Sequence, residues 1–126
     1  AEHVQAARLN ADSWAELMAE TYATDIFLFA PKSHKDIEDF HGRLINPNVP
    51  GNVFPPIGNV MPEFIAFLAE QKETAEGTHT FSIDRGSEQT RRSVLRAEFD
   101  KRTGKSTQCR IGGRVVKMGV GNLLFP

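Results

Sequence analysis

The chain has 126 residues, of which 40% are hydrophobic and 25% are charged, and its formal net charge is −1. This composition predicts a single globular domain over residues 1–126, and it argues against a disordered or fibrous chain. Because Lys and Arg are mixed with Asp and Glu, no basic face indicates binding to nucleic acid or to an anionic membrane. We see no signal sequence or long apolar segment, and therefore expect a soluble, cytoplasmic protein.

The N-terminal residues predict a strand followed by a helix. Residues 3–9 alternate enough in polarity for a short strand. Ser13 and Glu16 have the spacing of a capping box, which marks a helix start. Apolar side chains then recur at helical spacing as far as Tyr22. We therefore expect an amphipathic helix that ends near Thr24 and packs on the core.

Two strands and a proline-rich loop are predicted next. The continuous apolar run 25–30 has the length of a buried strand, the charged stretch 32–39 predicts a loop, and 40–45 predicts a second strand. Residues 46–56 carry four prolines and a glycine, which predicts an irregular loop. Loops of this kind, where they end at a helix N-terminus, often hold ligands.

We expect the fold to be built around a helix predicted within residues 55–71. This stretch is apolar on nearly every helical face, and only Glu63 and Glu70 give it a polar stripe. A helix of this kind is expected to be buried within a sheet. Gly58 and Asn59 mark its start, as a turn residue followed by a good N-cap. The backbone N–H groups at this start predict a ligand-binding site formed by Gly58, Asn59 and Val60.

The last third of the chain predicts a meander of antiparallel strands. Alternating segments predict four strands, at 78–84, 93–100, 107–111 and 114–118. Residues 101–105 predict a hairpin loop in which Gly104 has a positive φ, and the glycine pair 112–113 predicts a second tight turn. Together with the central helix, these strands predict an α+β fold. In it, a strongly curved antiparallel sheet wraps around one buried helix, and a second helix lies outside.

Residues of reactive type give only weak signals. Cys109 is the single cysteine and lies in an alternating segment, where we expect a small buried residue and not a nucleophile. The four histidines lack ligand spacing, so we expect no metal site. His41 and Arg43 share a strand face near the proline-rich loop; they could hold an acid, but salt bridges to acidic neighbours are favoured. Acidic residues are interspersed with one group of arginines, which predicts a neutralised face: Arg85, Arg91, Arg92 and Arg96.

Four motifs occur in a particular order along the chain. It carries FHGRLINP, then GNVFPPIGNVMPEFIAFL, then Arg-Gly at 85–86 with Arg-Arg-Ser at 91–93, and finally IGGRVVKMGVGNL. In this order the motifs resemble the C-terminal half of the PhzF-like family, over about residues 4–124. This family comprises the phenazine-biosynthesis isomerases and their relatives, which share the diaminopimelate epimerase fold. The resemblance implies one lobe of a two-lobe protein, with a sheet around a central helix.

The resemblance also implies a site between the helix starts of two lobes, where small acidic substrates bind and are isomerised by proton transfer without metal or organic cofactor. The N-terminal lobe, which supplies the family's principal acid/base glutamate, has no counterpart in this chain. Phe54 stands where the family has an aspartate, Val53 where it has an acidic neighbour, and Asn59 where it usually has a serine. Because a phenyl ring cannot transfer a proton, we expect no catalytic residue here, whereas anion binding could survive.

These observations favour one function and leave two others open. We expect a stand-alone, catalytically inactive PhzF-like lobe that binds a small acidic metabolite. Because the surface that meets the twin lobe would otherwise be exposed, we also expect a homodimer. The first alternative is one part of a PhzF-like isomerase or epimerase, paired with a separately encoded N-terminal lobe. The second is a protein-interaction module.

Overall fold

The structure is a computed structural model that describes residues 2–32, 38–86 and 92–124. Within these ranges the helices are α1 (Glu2–Ala6), α2 (Ala11–Met18) and α3 (Met61–Glu70), and a 3-10 turn at Gly58–Val60 leads into α3. The strands are β1 (Ile26–Pro31), β2 (Phe40–Ile45), β3 (Gly77–Arg85), β4 (Ser93–Lys101) and β5 (Gln108–Gly113). No helix in these ranges is both long enough and apolar enough to cross a membrane.

The described strands form one open sheet in the order β1-β2-β3-β4-β5. Neighbouring strands pair antiparallel except β2 and β3, which run parallel with His41 opposite Asp84. A parallel pair needs a crossover connection, and here the loop 46–57 and α3 provide it. The predicted α+β class is confirmed, but the sheet is mixed and not wholly antiparallel. The predicted wrapping of the sheet around α3 is not confirmed.

One side of α3 supplies the centre of the hydrophobic core. Its buried residues are Met61, Phe64, Ile65 and Ala69. They pack against buried side chains of β3 and β4: Phe81, Ile83, Ala97 and Phe99. Four phenylalanine rings surround Phe64, with centroids 4.7 to 5.6 Å away. The other side of α3 faces solvent, and Phe67 is 47% exposed, so this helix is buried on one side only.

The helices α1 and α2 lie on the opposite face of the sheet, over β1 and β2. A Cβ at Gly42 would point at Phe27 and Ile83 in the core, so the next residue, Arg43, points to the other face. There its guanidinium donates to the carbonyls of Gln5 at 2.6 Å and Ala7 at 2.9 Å. These bonds satisfy carbonyls at the end of α1 that have no partner within the helix.

Three predictions for the N-terminal segment are wrong. Residues 3–9, predicted as a strand, contain most of α1, whose last carbonyls are held by Arg43. The next helix is not capped at Ser13, because the side chain of Asn10 accepts from the N–H groups of Asp12 and Ser13, each at 3.1 Å. It ends at Met18, and no residue in it is buried. A cleft of about 210 Å³ separates α2 from β1 and β2.

The strand predictions for β1 to β5 are confirmed within two residues at each end. The strand β1, predicted as buried, is an edge strand and is mostly half-buried. The hairpin loop between β4 and β5 is also confirmed, with φ of 72° at Gly104.

Two predictions for the C-terminal segment are wrong. The glycines at 112–113 do not turn the chain, because they continue the pairing of β5 with Arg96 and Leu95 on β4. Residues 114–118, predicted as a further strand, have no regular structure and are exposed. Cys109 was predicted to be buried, but it is exposed because β5 is an edge strand.

Candidate functional site

The predicted ligand-binding residues Gly58, Asn59 and Val60 form the 3-10 turn that leads into α3. The N–H of Val60 donates to the carbonyl of Ile57 at 3.3 Å, and the N–H of Met61 donates to the carbonyl of Gly58. Gly58 and Asn59 are exposed, and among the described residues their N–H groups donate to no backbone carbonyl. A Cβ at Gly58 would meet no atom within 4 Å. The start of α3 is therefore open to a small molecule.

Asn59 does not serve as the predicted N-cap. The structure assigns the cap position to Val60, and no side chain caps α3 by a hydrogen bond. Its first turn is instead satisfied by the backbone of the 3-10 turn, which uses the N–H groups of Val60 and Met61. The side chain of Asn59 is consequently left for contacts outside the helix.

Two arginines hold the segment just before this turn. Arg85, the last residue of β3, donates from Nη1 to the carbonyl of Phe54 at 2.5 Å. The guanidinium of Arg43 lies over the Phe54 ring, with Cζ 4.8 Å from the centroid. Burial, with a smaller effect of the charge on Arg8, lowers the pKa of Arg43. Because β2 and β3 are parallel, their carboxyl ends meet at this edge of the sheet, where open α/β sheets commonly bind ligands.

A network of mostly buried charged side chains lies beside β2 and β3. Asp84 Oδ1 is 2.7 Å from His41 Nδ1, while Asp84 Oδ2 accepts from Lys32 Nζ at 3.1 Å and from Arg92 Nε at 2.7 Å. Glu38 accepts from the same two cations, with Lys32 Nζ at 3.0 Å. His41, Asp84 and Glu38 are 3%, 5% and 8% exposed. Two carboxylates and two cations thus form a closed ring, to which His41 is attached.

The network determines the protonation state of Asp84. Burial by itself would raise the pKa of Asp84, but hydrogen bonds from His41, Lys32 and Arg92 outweigh it and lower the pKa below the ordinary 3.8. Burial likewise opposes the charge on Lys32, but its bonds to Glu38 and Asp84 raise its pKa above 10.5. An ionised carboxylate only accepts hydrogen bonds, which assigns the donated proton to His41 Nδ1.

The contacts of His41 and Arg43 show which of the predicted roles each residue has. His41 Nε2 is buried and has no hydrogen-bond partner among the described residues, so His41 makes its one described side-chain hydrogen bond, to Asp84, through Nδ1. The predicted pairing of His41 with an acidic neighbour is confirmed as a hydrogen bond to Asp84. The corresponding prediction for Arg43 is wrong, because within the described ranges Arg43 contacts carbonyl groups and no carboxylate.

Sequence reasoning did not find this network as a unit. Lys32, Glu38 and Arg92 all lie outside the predicted strands, so their positions in space could not be inferred. The neutralised face predicted for the arginines is confirmed for Arg92, which pairs with Asp84 and Glu38. Arg91 lies outside the described residues.

Neither a metal site nor a known relative was found. In the part of the chain that the structure describes, no three His, Cys, Asp or Glu side chains come together as metal ligands. Comparisons with protein-family models, with curated proteins and with solved structures gave no match to this chain. The resemblance to the PhzF-like family therefore remains a prediction that rests on the four motifs.

Proposed function

We propose that this chain is a catalytically inactive PhzF-like lobe that self-associates and binds a small metabolite carrying a carboxylate. The observation that carries this proposal is the open start of α3, where Gly58 and Asn59 are exposed and their N–H groups donate to no described backbone carbonyl. In this proposal the protein acts in the cytoplasm without a cofactor. In this proposal the lobe is a variant of the diaminopimelate epimerase fold in which the described sheet is open beside the central helix.

The electrostatics of the helix start support an anionic ligand. Backbone N–H groups at the N-terminus of a helix point outward, and the helix dipole there favours negative charge. Arg85 adds a full positive charge at the same edge of the sheet, held by the carbonyl of Phe54. No described carboxylate pairs with Arg85. A ligand carboxylate would therefore meet two N–H donors and a guanidinium.

The positions at the helix start that align with the family's acidic and serine residues do not support proton transfer. Phe54 stands at the position of the family's aspartate, and its ring is covered by Arg43. General acid or base catalysis needs a titratable group within hydrogen-bond reach of the reacting proton. The side chains of Val53, Phe54 and Asn59 cannot exchange a proton near neutral pH.

Isothermal titration with amino acids and aromatic acids tests the ligand part of the proposal. We expect binding by the parent, and about 10- to 100-fold weaker binding by Arg85→Gln, since a hydrogen bond to a charged group contributes about 1.5–3 kcal/mol. Gly58→Val places bulk at the open start of α3, and we expect it to abolish binding with unchanged circular dichroism. Arg96→Gln, on β4, is the matched control and should bind as the parent does. If the parent bound no compound of the panel, the proposed binding of a carboxylate-bearing metabolite would be refuted.

A second experiment tests the absence of catalysis. Parent and Phe54→Asp are each combined with an N-terminal lobe of a PhzF-like isomerase, and isomerisation of that enzyme's substrate is followed. We expect no turnover by the parent, whereas Phe54→Asp restores a carboxylate at the helix start and could create some. Turnover by the parent itself would overturn the proposed inactivity and favour the alternative of a two-part enzyme.

A further inference from the structure

The cleft between α2 and the sheet has apolar walls. Its volume is about 210 Å³. Ile26, Leu28 and Ile45 line it from β1 and β2, and Trp14 and Leu17 line it from α2. No residue of α2 is buried, and Leu17 is 65% exposed. The apolar side of α2 therefore lies over an apolar part of the sheet without packing closely against it.

The end of the cleft next to α1 is polar and positively charged. Arg8 is the one charged residue of the described lining. Its Nη1 donates to the three carbonyls of residues 5–7, at 2.9 to 3.3 Å. Among the described residues, its Nε and Nη2 donate to no acceptor, and no carboxylate pairs with it. The amide of Asn10 and the hydroxyl of Ser13 line the same cleft and can also donate hydrogen bonds.

Arg43 adds a second positive charge close to this end of the cleft. It donates to the carbonyls of Gln5 and Ala7, to which Arg8 also donates. Burial and the nearby charge on Arg8 lower the pKa of Arg43. Within the described ranges, neither of these two guanidiniums is neutralised by a carboxylate. An anion at this end of the cleft would therefore be attracted by two positive charges.

We propose that the cleft binds the alkyl chain of a medium-chain carboxylic acid, whose carboxylate is held by Arg8. This site is separate from the start of α3 and goes beyond the proposed function. The lining follows α2 from Asn10 to Leu17, which is about 10 Å of helix at about 1.5 Å per residue. A volume of about 210 Å³ over that length is narrow, which suits an unbranched chain. Because an extended chain advances about 1.2 Å per bond, an acid of about eight carbons matches this length.

The chemistry of the walls favours such an acid over other occupants. A peptide segment would bring backbone N–H and C=O groups into the cleft, where the apolar side chains offer them no partner. An alkyl chain has no polar group to satisfy, and its burial against Trp14 and Leu28 is favourable. The unused donors of Arg8 need an acceptor, and a carboxylate can accept two parallel hydrogen bonds from one guanidinium.

The fluorescence of Trp14, the single tryptophan of the chain, tests this site directly. We expect octanoate to shift the emission to shorter wavelength in a saturable way, because the chain displaces water from the half-buried indole. Each added methylene from butanoate to octanoate should tighten binding about fourfold, and longer acids should gain little more. The absence of a saturable shift with octanoate would overturn the proposal.

The charged end of the cleft is tested with a ligand that lacks the carboxylate. 1-Octanol has the same chain, and we expect it to bind the parent at least about tenfold more weakly than octanoate does. Arg8→Gln should reduce this preference to about none, whereas Arg8→Lys keeps the charge and should retain most of it. Arg102→Gln, in the hairpin loop between β4 and β5, is the matched control and should behave as the parent does. An unchanged preference in Arg8→Gln would overturn the contact with the carboxylate.

Two further variants separate this proposal from the proposed function. Leu28→Phe fills the cleft, and we expect it to abolish the Trp14 response with unchanged circular dichroism. Gly58→Val blocks the start of α3 and should leave that response intact. A response abolished by Gly58→Val but retained by Leu28→Phe would overturn the cleft site and leave the proposed function standing. Octanoate binding by a parent that binds no amino acid or aromatic acid would support the cleft site and refute the ligand of the proposed function.

Discussion

The two ends of the sheet differ in how they are covered. At the β1 and β2 end, α3 lies on one face and α1 with α2 on the other, and Arg43 joins α1 to β2. At the β4 and β5 end, α3 covers one face, and no described element covers the other. A groove of about 810 Å³ lies there, lined by residues that include Thr80, Arg96 and Glu98. Among the described residues, helices thus lie over both faces of the sheet at one end and over one face at the other.

The carboxylates at the two ends illustrate what this difference means. Asp84 is 5% exposed, and His41, Lys32 and Arg92 donate to it. Asp100 receives hydrogen bonds from Thr78 and Arg110 on the uncovered face. These bonds lower the pKa of both carboxyl groups. Asp84 is the more deeply buried of the two carboxylates, so the loss of its partners is expected to cost more stability.

The largest effect is expected in the core that the two ends share. Replacing Phe64 by Ala removes the ring at the centre of the phenylalanine cluster and leaves a cavity. We expect the free energy of unfolding to fall by about 3–5 kcal/mol, measured by urea denaturation. Phe67→Ala, three positions further along the same helix, is the control, and because the Phe67 ring is half-exposed we expect the free energy of unfolding to fall by only about 1 kcal/mol. Equal losses would mean that α3 is buried on both sides.

The next prediction compares the two carboxylates directly. Asp84→Asn removes one charge from the network, and we expect the free energy of unfolding to fall by about 3 kcal/mol, because Lys32 and His41 are largely buried and lose a charged acceptor. Asp100→Asn removes the same charge from the other face of the sheet, where solvent replaces the lost interaction. We therefore expect little change in the free energy of unfolding. If both variants unfold at the same urea concentration, the distinction between the two ends of the sheet is wrong.

The pH dependence of stability sharpens this prediction. The folded-state pKa of Asp84 is lowered, so the unfolded chain binds more protons at acidic pH. The stability that Asp84 contributes is therefore complete above its unfolded pKa, ordinarily 3.8, and is lost as the pH falls through the lower folded value. We expect the melting temperature of the parent to fall more steeply than that of Asp84→Asn below about pH 4. If the melting temperatures of the parent and Asp84→Asn fell in parallel with pH, Asp84 would not be the source of this pH dependence.

The interior of the sheet could be predicted from the sequence, because its strands are apolar on the side that meets α3. Leu95, Ala97 and Phe99 alternate with polar residues, and this pattern alone orients β4. The bounds of β2 were predicted correctly, at Phe40–Ile45. The exposed turn at Gly58–Val60 was likewise located by its glycine, although the capping role of Asn59 was not correct.

The ends of the chain could not be predicted, because long-range contacts override their local patterns. Residues 3–6 are helical, and Arg43, far along the chain, binds carbonyls at the end of this helix. The glycine pair 112–113 has the composition of a turn, yet its backbone continues the ladder with β4. The ring of charges depends on Lys32 and Arg92, which flank strands and carry no periodic signal.

The smallest expected effect concerns α2, the helix that covers one face at the β1 and β2 end. Asn10→Ala removes the side chain that accepts from the N–H groups of Asp12 and Ser13. We expect the free energy of unfolding to fall by about 1 kcal/mol. Ser13→Ala is the matched control, since Ser13 would be the cap if the capping-box pattern were correct. Thermal melts of both variants should show the larger decrease for Asn10→Ala. A larger decrease for Ser13→Ala would restore the helix start at Ser13 and shift α2 by one turn along β1 and β2.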